Sequence, residues 1–274
     1  PAAAPAPPAP TALGDGVFSK RYEALDLNIG AVVCGDGVLI IDTRAHHEQA
    51  RELLTDLRRV TPHLVRAVVN THHHWDHTFG NAVLLPAPIW GHERCGAAMR
   101  AGAEQMRRDL KEWYPGHAAW FDEVVVTPPD HTFTQAATVT MGGRAVELRY
   151  LGRGHTDNDI VVLVPDAGTL FAGDLLEESG PPAFHDSFPL EWPDTVASLL
   201  SLAGAAVVPG HGAVVDASFA RAQQADLAEV ARLAEERHAQ GMTAEQAAAA
   251  GGPYPRDVLD IAFRRVWPAL ELGG

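Results

Sequence analysis

Residues 70–77 read NTHHHWDH and directly follow residues 64–69, an apolar run rich in β-branched side chains that is typical of a buried strand. Within this stretch His72, His74 and Asp76 occupy alternate positions. If the extended chain continues past the strand, alternate side chains share one face and point at one place. Neutral imidazoles and a carboxylate are ligands that zinc, iron and manganese accept. The stretch therefore predicts a metal site at the end of a strand.

Four further side chains fit the rest of a ligand set. His77 follows Asp76 at once and must project differently, which suits a second, adjacent site. A glycine directly precedes each of His155, Asp174 and His211, and glycine lets a loop approach a metal closely. Each of these three residues comes just after a predicted strand. We therefore expect several strand ends to contribute ligands to one place.

The rest of the chain is predicted to alternate strands and helices in two similar halves. The predicted strands are residues 27–33, 37–42, 64–69, 88–90, 145–151, 160–164, 169–172 and 206–208. The predicted helices are residues 48–60, 93–114, 192–202, 218–240, 243–250 and 257–270. Sheets with helices outside them predict an α/β layered fold. We expect one domain over residues 14–274, preceded by a flexible tail rich in proline and alanine at residues 1–13.

Composition restricts the partners. The chain has 35 acidic and 21 basic residues and a formal net charge of −14, whereas nucleic acids and anionic membranes require clustered positive charge. No stretch approaches the roughly 20 apolar residues that cross a bilayer. We therefore expect a small-molecule substrate, and neither nucleic acid nor a membrane as a partner. The helix predicted at 218–240 either covers the sheet or serves a homodimer.

The first ten residues contain only proline and alanine, without the cationic start and apolar centre of a signal peptide. A cytoplasmic location is therefore expected. The alternative is a periplasmic or secreted protein from which a leader has been removed.

The order of these motifs resembles that of the metallo-β-lactamase-fold hydrolase superfamily. The motifs are HHHWDH at 72–77, GHT at 154–156, GD at 173–174 and PGHG at 209–212. The similarity runs from about Gly14 to His211 and includes Asp42 at the end of a predicted strand. The resemblance implies a four-layer αββα sandwich, with the metal site at one edge, where the loops of the two sheets meet.

The resemblance also implies two divalent metal ions, with zinc favoured and iron or manganese as alternatives. The implied ligands of the first metal are His72, His74 and His155. The implied ligands of the second metal are Asp76, His77 and His211. Asp174 is implied to bridge the two metals. Asp42 is implied to lie beneath the site and orient a ligand; the alternative is that it only caps the helix that follows.

Such a site implies metal-dependent hydrolysis. Two divalent ions about 3.5–4 Å apart lower the pKa of a shared water and provide hydroxide near neutral pH. That hydroxide attacks the substrate, while Asp76 orients it or shuttles its proton. The expected reaction is cleavage of an ester, thioester, amide or lactam bond in a small or medium organic substrate.

Departures from the pattern separate the branches of the superfamily. Zinc β-lactamases with a cysteine ligand carry Cys in place of Asp174 and Lys in place of Glu177, so only weak lactam hydrolysis is expected here. Hydroxyacylglutathione hydrolases share the bridging carboxylate, but the basic residues of their substrate-binding tail are not matched in 217–274. Persulfide dioxygenases use one iron and fewer ligands. The spacing most resembles a poorly characterised bacterial group of metallo-hydrolases.

A loop at residues 177–193 follows the expected bridging carboxylate. Its candidates for lining the substrate pocket are Phe184, His185, Phe188 and Trp192. The alternative is ordinary packing beside a helix start. His185 is also a candidate for direct contact with the substrate. His73 and Trp75 are expected to point away from the metals.

Overall fold

The computed structural model describes residues 9–272, and its first strand lies inside the segment expected to be a tail. β1 (Thr11–Gly14) pairs antiparallel with β2 (Val17–Tyr22). Gly16, with a φ of 65°, lies in the tight turn between the two strands. The predicted tail boundary at residue 13 is therefore wrong, because residues from 11 onward extend a sheet edge. Residues 1–8 of that tail lie outside the described residues.

Two sheets form the centre of the described part of the chain. Their other strands are β3 (Leu27–Cys34), β4 (Gly37–Ile41), β5 (Val65–Val69), β6 (Ile89–His92), β7 (His131–Phe133), β8 (Ala136–Met141), β9 (Arg144–Tyr150), β10 (Ile160–Val164), β11 (Thr169–Glu177) and β12 (Ala206–His211). The first sheet has the order β1-β2-β3-β4-β5-β6-β7, and the second β8-β9-β10-β11-β12. They join where Leu27 of β3 pairs with His211 of β12.

The two sheets pack face to face on an apolar layer. In β4, Leu39 and Ile41 belong to this layer, whereas Val38 and Ile40 belong to the core on the opposite face. Because successive side chains of a strand point to opposite faces, this alternation buries the sheet on both sides. β10 of the second sheet alternates in the same way, with Val161 in the outer core.

Helices cover the outer faces of both sheets. They are α1 (His47–Leu57), α2 (Trp75–Thr78), α3 (Glu93–Trp113), α4 (Ala118–Asp122), α5 (Trp192–Leu200), α6 (Ala217–Ala239), α7 (Ala244–Ala249) and α8 (Arg256–Leu272). Helix α1 packs Leu53 and Leu57 on the first sheet, and α5–α8 cover the second. The four layers confirm the predicted αββα sandwich. None of the described helices has the length and apolarity needed to cross a membrane.

Candidate metal centre

Seven polar side chains converge near the edge where β3 and β12 join the two sheets. They form two adjoining groups, and inside each group the potential donor atoms lie within 4.8 Å of one another. The first group is His72, His74, His155 and Asp174. The second group is Asp76, His77 and His211. Every ligand candidate from the sequence thus lies in one of the two groups.

Asp174 contacts both groups. Its Oδ1 lies 3.2 Å from His77 Nε2, in the second group. Its Oδ2 lies 3.4 Å from His211 Nε2, 3.5 Å from His155 Nε2 and 3.6 Å from His72 Nε2. A single buried carboxylate therefore reaches ligands of both groups, which is the placement that a bridging ligand requires.

Residues 70–77 are not extended, so the geometry expected from the sequence is wrong. β5 ends before this stretch and α2 begins inside it. The His77 backbone N–H and the Thr78 hydroxyl both donate to the His74 carbonyl oxygen, at 3.1 and 2.9 Å, and so close a turn. Asp76 therefore lies in the first turn of a helix and joins the second group, and it does not share a strand face with the two preceding ligands.

Asp174 and His211 lie on strands, whereas both were expected just after a strand. β11 continues to Glu177 and β12 includes His211. The pairing of these strands is irregular around Gly173, which has a φ of 54°. A Cβ atom on Gly210 would lie 1.8 Å from Asp174 Oδ1, so the glycine at this position allows the carboxylate to pass the neighbouring strand.

Each of the five histidines in the two groups has one ring nitrogen in contact with an oxygen outside the ligand set. These contacts join His72 Nδ1 to the Thr71 hydroxyl (3.1 Å), His74 Nε2 to Asp186 (3.0 Å), His77 Nδ1 to Asp42 (2.8 Å), His155 Nδ1 to the Ala183 carbonyl (3.2 Å) and His211 Nδ1 to the Leu25 carbonyl (2.7 Å). A nitrogen that donates its proton outward leaves a lone pair on the other nitrogen. In all five rings that other nitrogen faces the neighbouring ligands.

Asp42 lies beside His77, at the end of β4. Its carboxylate accepts hydrogen bonds from the Thr71 backbone N–H at 2.8 Å, the Thr71 hydroxyl at 2.7 Å and His77 Nδ1 at 2.8 Å. The residue at the N-terminus of α1 is His46, so Asp42 is not the helix cap that the alternative required. A carboxylate that accepts from Nδ1 holds the tautomer whose Nε2 can bind a metal.

The histidines of the two groups differ in pKa. In the first, burial and the neighbouring His77 lower the pKa of His72 well below its usual value, and burial lowers the pKa of His155 to about 4. His74 is the exception in this group: burial opposes protonation, but the hydrogen bond with Asp186 raises its pKa. In the second, burial opposes protonation, but Asp174 and the other carboxylates raise the pKa of His77 well above its usual value and that of His211 to about 12. Protons on these two rings balance the carboxylates, and a divalent cation would supply the same positive charge.

The donor atoms fit a bound cation. Among the described residues, His72 Nε2 and Asp174 Oδ1 are buried without a hydrogen-bond partner, which costs free energy unless a ligand satisfies them. Ring nitrogens also face each other, at 2.9 Å in one pair and 3.4 Å in the other: His74 with His155, and His77 with His211. In neutral rings these facing lone pairs would repel each other; protons relieve that repulsion in the metal-free protein, and a cation between the rings would do the same. Imidazole and carboxylate donors suit zinc, iron and manganese.

A cavity of about 730 Å³ opens onto this cluster, a size typical of small-molecule sites. Ligand candidates form what we call the floor: His74, Asp76, His155, Asp174 and His211. One face of α3 forms the α3 wall: Ala98, Gly102, Ala103, Met106 and Trp113. The segment after β11, with the last residue of that strand, forms the loop wall: Glu177, Ser179, Gly180, Ala183, His185 and Asp186.

Of the four pocket candidates in 177–193, His185 lines this cavity and the others do not. Phe184 and Trp192 are buried in the core beneath α5–α8. Phe188 lies elsewhere, with its ring 4.5 Å from the Arg153 guanidinium. The expectation for Phe184, Phe188 and Trp192 is therefore wrong. The helices that follow bury Phe184 and Trp192 in an apolar core, and Phe188 packs against the Arg153 guanidinium.

Asp186 is the polar residue of this site that the sequence reasoning missed. It lies 3.0 Å from His74 Nε2 and 3.6 Å from His73 Nε2. His73 and Trp75 were expected to point away from the metals, but both line the cavity. The signal for Asp186 was a lone acidic residue beside His185, and sequence alone does not show which histidine such a residue meets.

Comparison with known proteins identifies the family. Residues 25–211 match the family described as the metallo-beta-lactamase superfamily. This match covers more than half of the chain and includes all seven ligand candidates. The protein therefore belongs to the metallo-beta-lactamase superfamily, whose members are metal-dependent hydrolases.

Individual relatives share only a minority of their residues with this chain. The chain is 35% identical over 89 residues to a metallo-beta-lactamase type 2 of Bacteroides fragilis, covering 31% of this chain and 36% of that enzyme. It is 26% identical over 209 residues to a metallo-beta-lactamase type 2 of Bacillus cereus, covering 73% of this chain and 72% of that enzyme. A solved stereoselective inverting sec-alkylsulfatase of Pseudomonas sp. superposes with a TM-score of 0.74 at 17% identity, covering 95% of this chain and 50% of the other. That likeness shows the fold.

Proposed function

We propose that this protein uses two divalent cations, expected to be zinc, to hydrolyse an ester, thioester, amide or lactam bond in a small or medium organic substrate. The observation that carries the proposal is the pair of adjoining ligand groups, which Asp174 joins at the floor of a cavity sized for a small molecule. A one-iron enzyme would need fewer ligands than the seven that converge here. For that reason the same residues support iron-dependent redox chemistry less well than two-metal hydrolysis.

Each ligand candidate has a proposed place. The residues that would hold the first cation are His72, His74 and His155. The residues that would hold the second are Asp76, His77 and His211, and Asp174 would bridge the two. When bound, such a pair of cations supplies Lewis acidity toward a substrate oxygen and a water that ionises near neutral pH.

Asp76 is the proposed proton carrier. Burial alone would raise its pKa, but the charges of His77 and His211 lower it to about 2, so the carboxylate is ionised at neutral pH. Its Oδ2 lies 3.4 Å from His211 Nε2 and 3.6 Å from His77 Nε2, and the side chain lines the cavity. From this position the carboxylate can orient an attacking water, accept its proton and pass that proton to the leaving group.

A lactam is the substrate that the relatives named metallo-beta-lactamase type 2 bring into consideration. Glu177 stands where the resembling β-lactamases use a lysine for the drug's carboxylate. Burial, with the nearby charge of Asp174, raises the pKa of Glu177 to about 8, and its Oε1 accepts a hydrogen bond from the Ala183 backbone N–H at 3.0 Å. Such a group cannot pair with an anion. We therefore expect a chromogenic cephalosporin to be cleaved more slowly than uncharged esters or thioesters.

Substitution of Asp76 tests the proposal. Asp76→Asn keeps the side-chain volume but removes the proton acceptor, so kcat for the fastest ester, thioester or lactam found should fall at least about 100-fold in the metal-saturated variant. The exposed Asp36→Asn serves as the matched control and should leave kcat unchanged. Near-normal turnover by metal-saturated Asp76→Asn would contradict the role of Asp76. Absence of hydrolysis of any of these bond types by the metal-loaded protein would contradict the function itself.

A further inference from the structure

Carboxyl groups are frequent in the cavity lining, and basic side chains with a permanent charge are not. Four carboxylates line it: Asp76, Asp174, Glu177 and Asp186. Among the described residues, no lysine or arginine lines it. Two of these carboxylates, Asp76 and Asp174, belong to the proposed ligand set, whereas Asp186 and Glu177 belong to the loop wall. A substrate group that lies beyond the reach of bound cations therefore meets acidic or uncharged side chains.

The α3 wall presents small and apolar side chains along its length. Ala98, Gly102 and Met106 are spaced four residues apart and so follow one face of the helix. Trp113 continues this face at the end of the helix, with 61% of its surface exposed. From Ala98 to Trp113 the wall is about 22 Å long at the usual helical rise. That length suits an elongated apolar group.

The α3 helix contains basic side chains, although none of them lies in the α3 wall. α3 contains five basic residues: Arg94, Arg100, Arg107, Arg108 and Lys111. The partners of four of them lie outside the cavity lining: Tyr150 and Asp157 for Arg94, Glu104 and Phe121 for Arg107, Gln105 for Arg108, and Asp122 for Lys111. The helix therefore turns its positive charge away from the substrate cavity.

These observations define the kind of substrate that the cavity can accept. An anionic group on the body of a substrate would lose its hydration against the α3 wall and find no cation to pair with, which is costly. The Asp186 carboxylate of the loop wall would repel it and would attract a cationic group. Glu177, which is mostly uncharged near neutral pH, would offer an anion no counter-charge. An uncharged apolar group would bury its surface against the α3 wall and gain free energy.

We infer that, given the proposed hydrolase function, the substrate carries an apolar body that is uncharged or positively charged. A compound with an anionic group away from the scissile bond is excluded as a substrate. The α3 wall and the loop wall act together in this selection. The first removes water from the substrate body, and the second sets the sign of the charge that is tolerated.

Matched hydroxamates test the inference by binding, independently of turnover. The probes are the hydroxamates of hexanoic acid, of ε-aminocaproic acid and of adipic acid with its second carboxylate free. They share the metal-binding group and a six-carbon chain, and the far end is a methyl, an ammonium or a carboxylate group. Calorimetric titration of the metal-loaded protein should give a Kd at least about tenfold weaker for the carboxylate probe than for the uncharged probe. The ammonium probe should bind at least as tightly as the carboxylate probe. The inference would be overturned if the carboxylate probe bound as tightly as the uncharged probe or more tightly, or if the uncharged probe did not bind.

A charge placed in the α3 wall provides the second arm. Met106→Lys puts an ammonium group into the cavity lining. The Kd of the carboxylate probe divided by the Kd of the uncharged probe should therefore fall about tenfold. Gln105→Lys adds the same charge on the exposed side of α3 and should leave the ratio unchanged. An unchanged ratio in a folded, metal-loaded Met106→Lys protein would also overturn the inference. Failure of the hydrolase function would be seen separately, as absence of cleavage of the corresponding esters.

Discussion

The floor and the α3 wall of the cavity are built in opposite ways. The floor takes its side chains from four separate segments of the chain, and outer hydrogen bonds orient the histidine rings, as Asp186 does for His74 and Leu25 for His211. The α3 wall comes from a single helix and consists of small or apolar side chains without fixed polar contacts. Under the proposed function, the floor would determine which bond is broken, and the α3 wall would determine which molecules bind.

The largest expected effect follows from the residue that joins the two ligand groups. Asp174→Ala removes the carboxylate that contacts His72, His77, His155 and His211, so binding of both metals should weaken and kcat should fall at least about 1,000-fold for every substrate. Metal content by mass spectrometry and steady-state kinetics would be measured together. The exposed Asp36→Ala is the control. Two tightly bound metals in Asp174→Ala would show that this carboxylate is no bridge.

The second-largest effect is expected at Asp42, which orients the ligand candidate His77. In Asp42→Asn an amide N–H replaces the oxygen that accepts from His77 Nδ1, which drives the imidazole proton to Nε2 and blocks that nitrogen. Asparagine tolerates the φ of 64° at this position, so the backbone should persist. We expect the metal affinity of the second position to fall roughly 10- to 100-fold. Competition with a chelator measures it, and an unchanged affinity would mean that Asp42 does not hold the tautomer.

The raised pKa of His211 predicts a pH dependence. The pKa of His211 is raised to about 12, so its contribution to the stability of the metal-free protein is complete below about pH 6.5 and is lost as the pH rises toward 12. Metal binding must displace such protons, so alkaline pH favours the loaded form. The gap in Tm between metal-loaded and chelator-treated protein should therefore widen by at least about 3 °C from pH 6.5 to pH 8.5. A gap that narrows would contradict this charge assignment.

The smallest expected effect concerns the end of the α3 wall. Trp113→Ala removes an exposed ring that lines the cavity far along the helix from Ala98, so KM for a long-chain ester should rise about three- to tenfold. Metal content and kcat should not change, because Trp113 belongs to neither group of ligand candidates. The effect should vanish for an acetyl ester, which is too short to reach the ring. An equal change in KM for short and long esters would argue against a wall that selects the substrate body.

The sequence predicted the floor well because its residues carry information that is local and chemical. Histidines and carboxylates near strand ends, several of them preceded by glycine, can be recognised one motif at a time. Asp174 and His211 lie in the cluster, and Asp42 lies beside His77, as the resemblance implied. The apolar periodicity of strands and helices predicted an α/β layered fold, and the resemblance to the superfamily implied the αββα order of the layers. The detailed geometry of 70–77 did not follow, since a turn closed by the Thr78 hydroxyl is a tertiary choice that alternation of residues cannot show.

The α3 wall and the loop wall could not be predicted, because long-range packing decides them. Phe184 and Trp192 looked suited to a pocket, yet α6 and α8 provide an apolar core that buries both. Met106 and Asp186 carry no motif, and they line the cavity only because of where their segments pack. Apolar residues of a helix have the same pattern whether they face a core or a substrate.

The number of metal ions per chain decides whether the seven ligand candidates form a two-metal site. The protein would be purified without added metal, and metal identity and content per chain would be measured by mass spectrometry, then repeated after addition of zinc and removal of excess. A two-metal hydrolase should contain close to two zinc ions per chain, and Asp174→Ala should contain one or fewer. A content that stays at one per chain in the presence of excess zinc, or a single iron ion accompanied by oxygen consumption, would contradict the two-metal hydrolase.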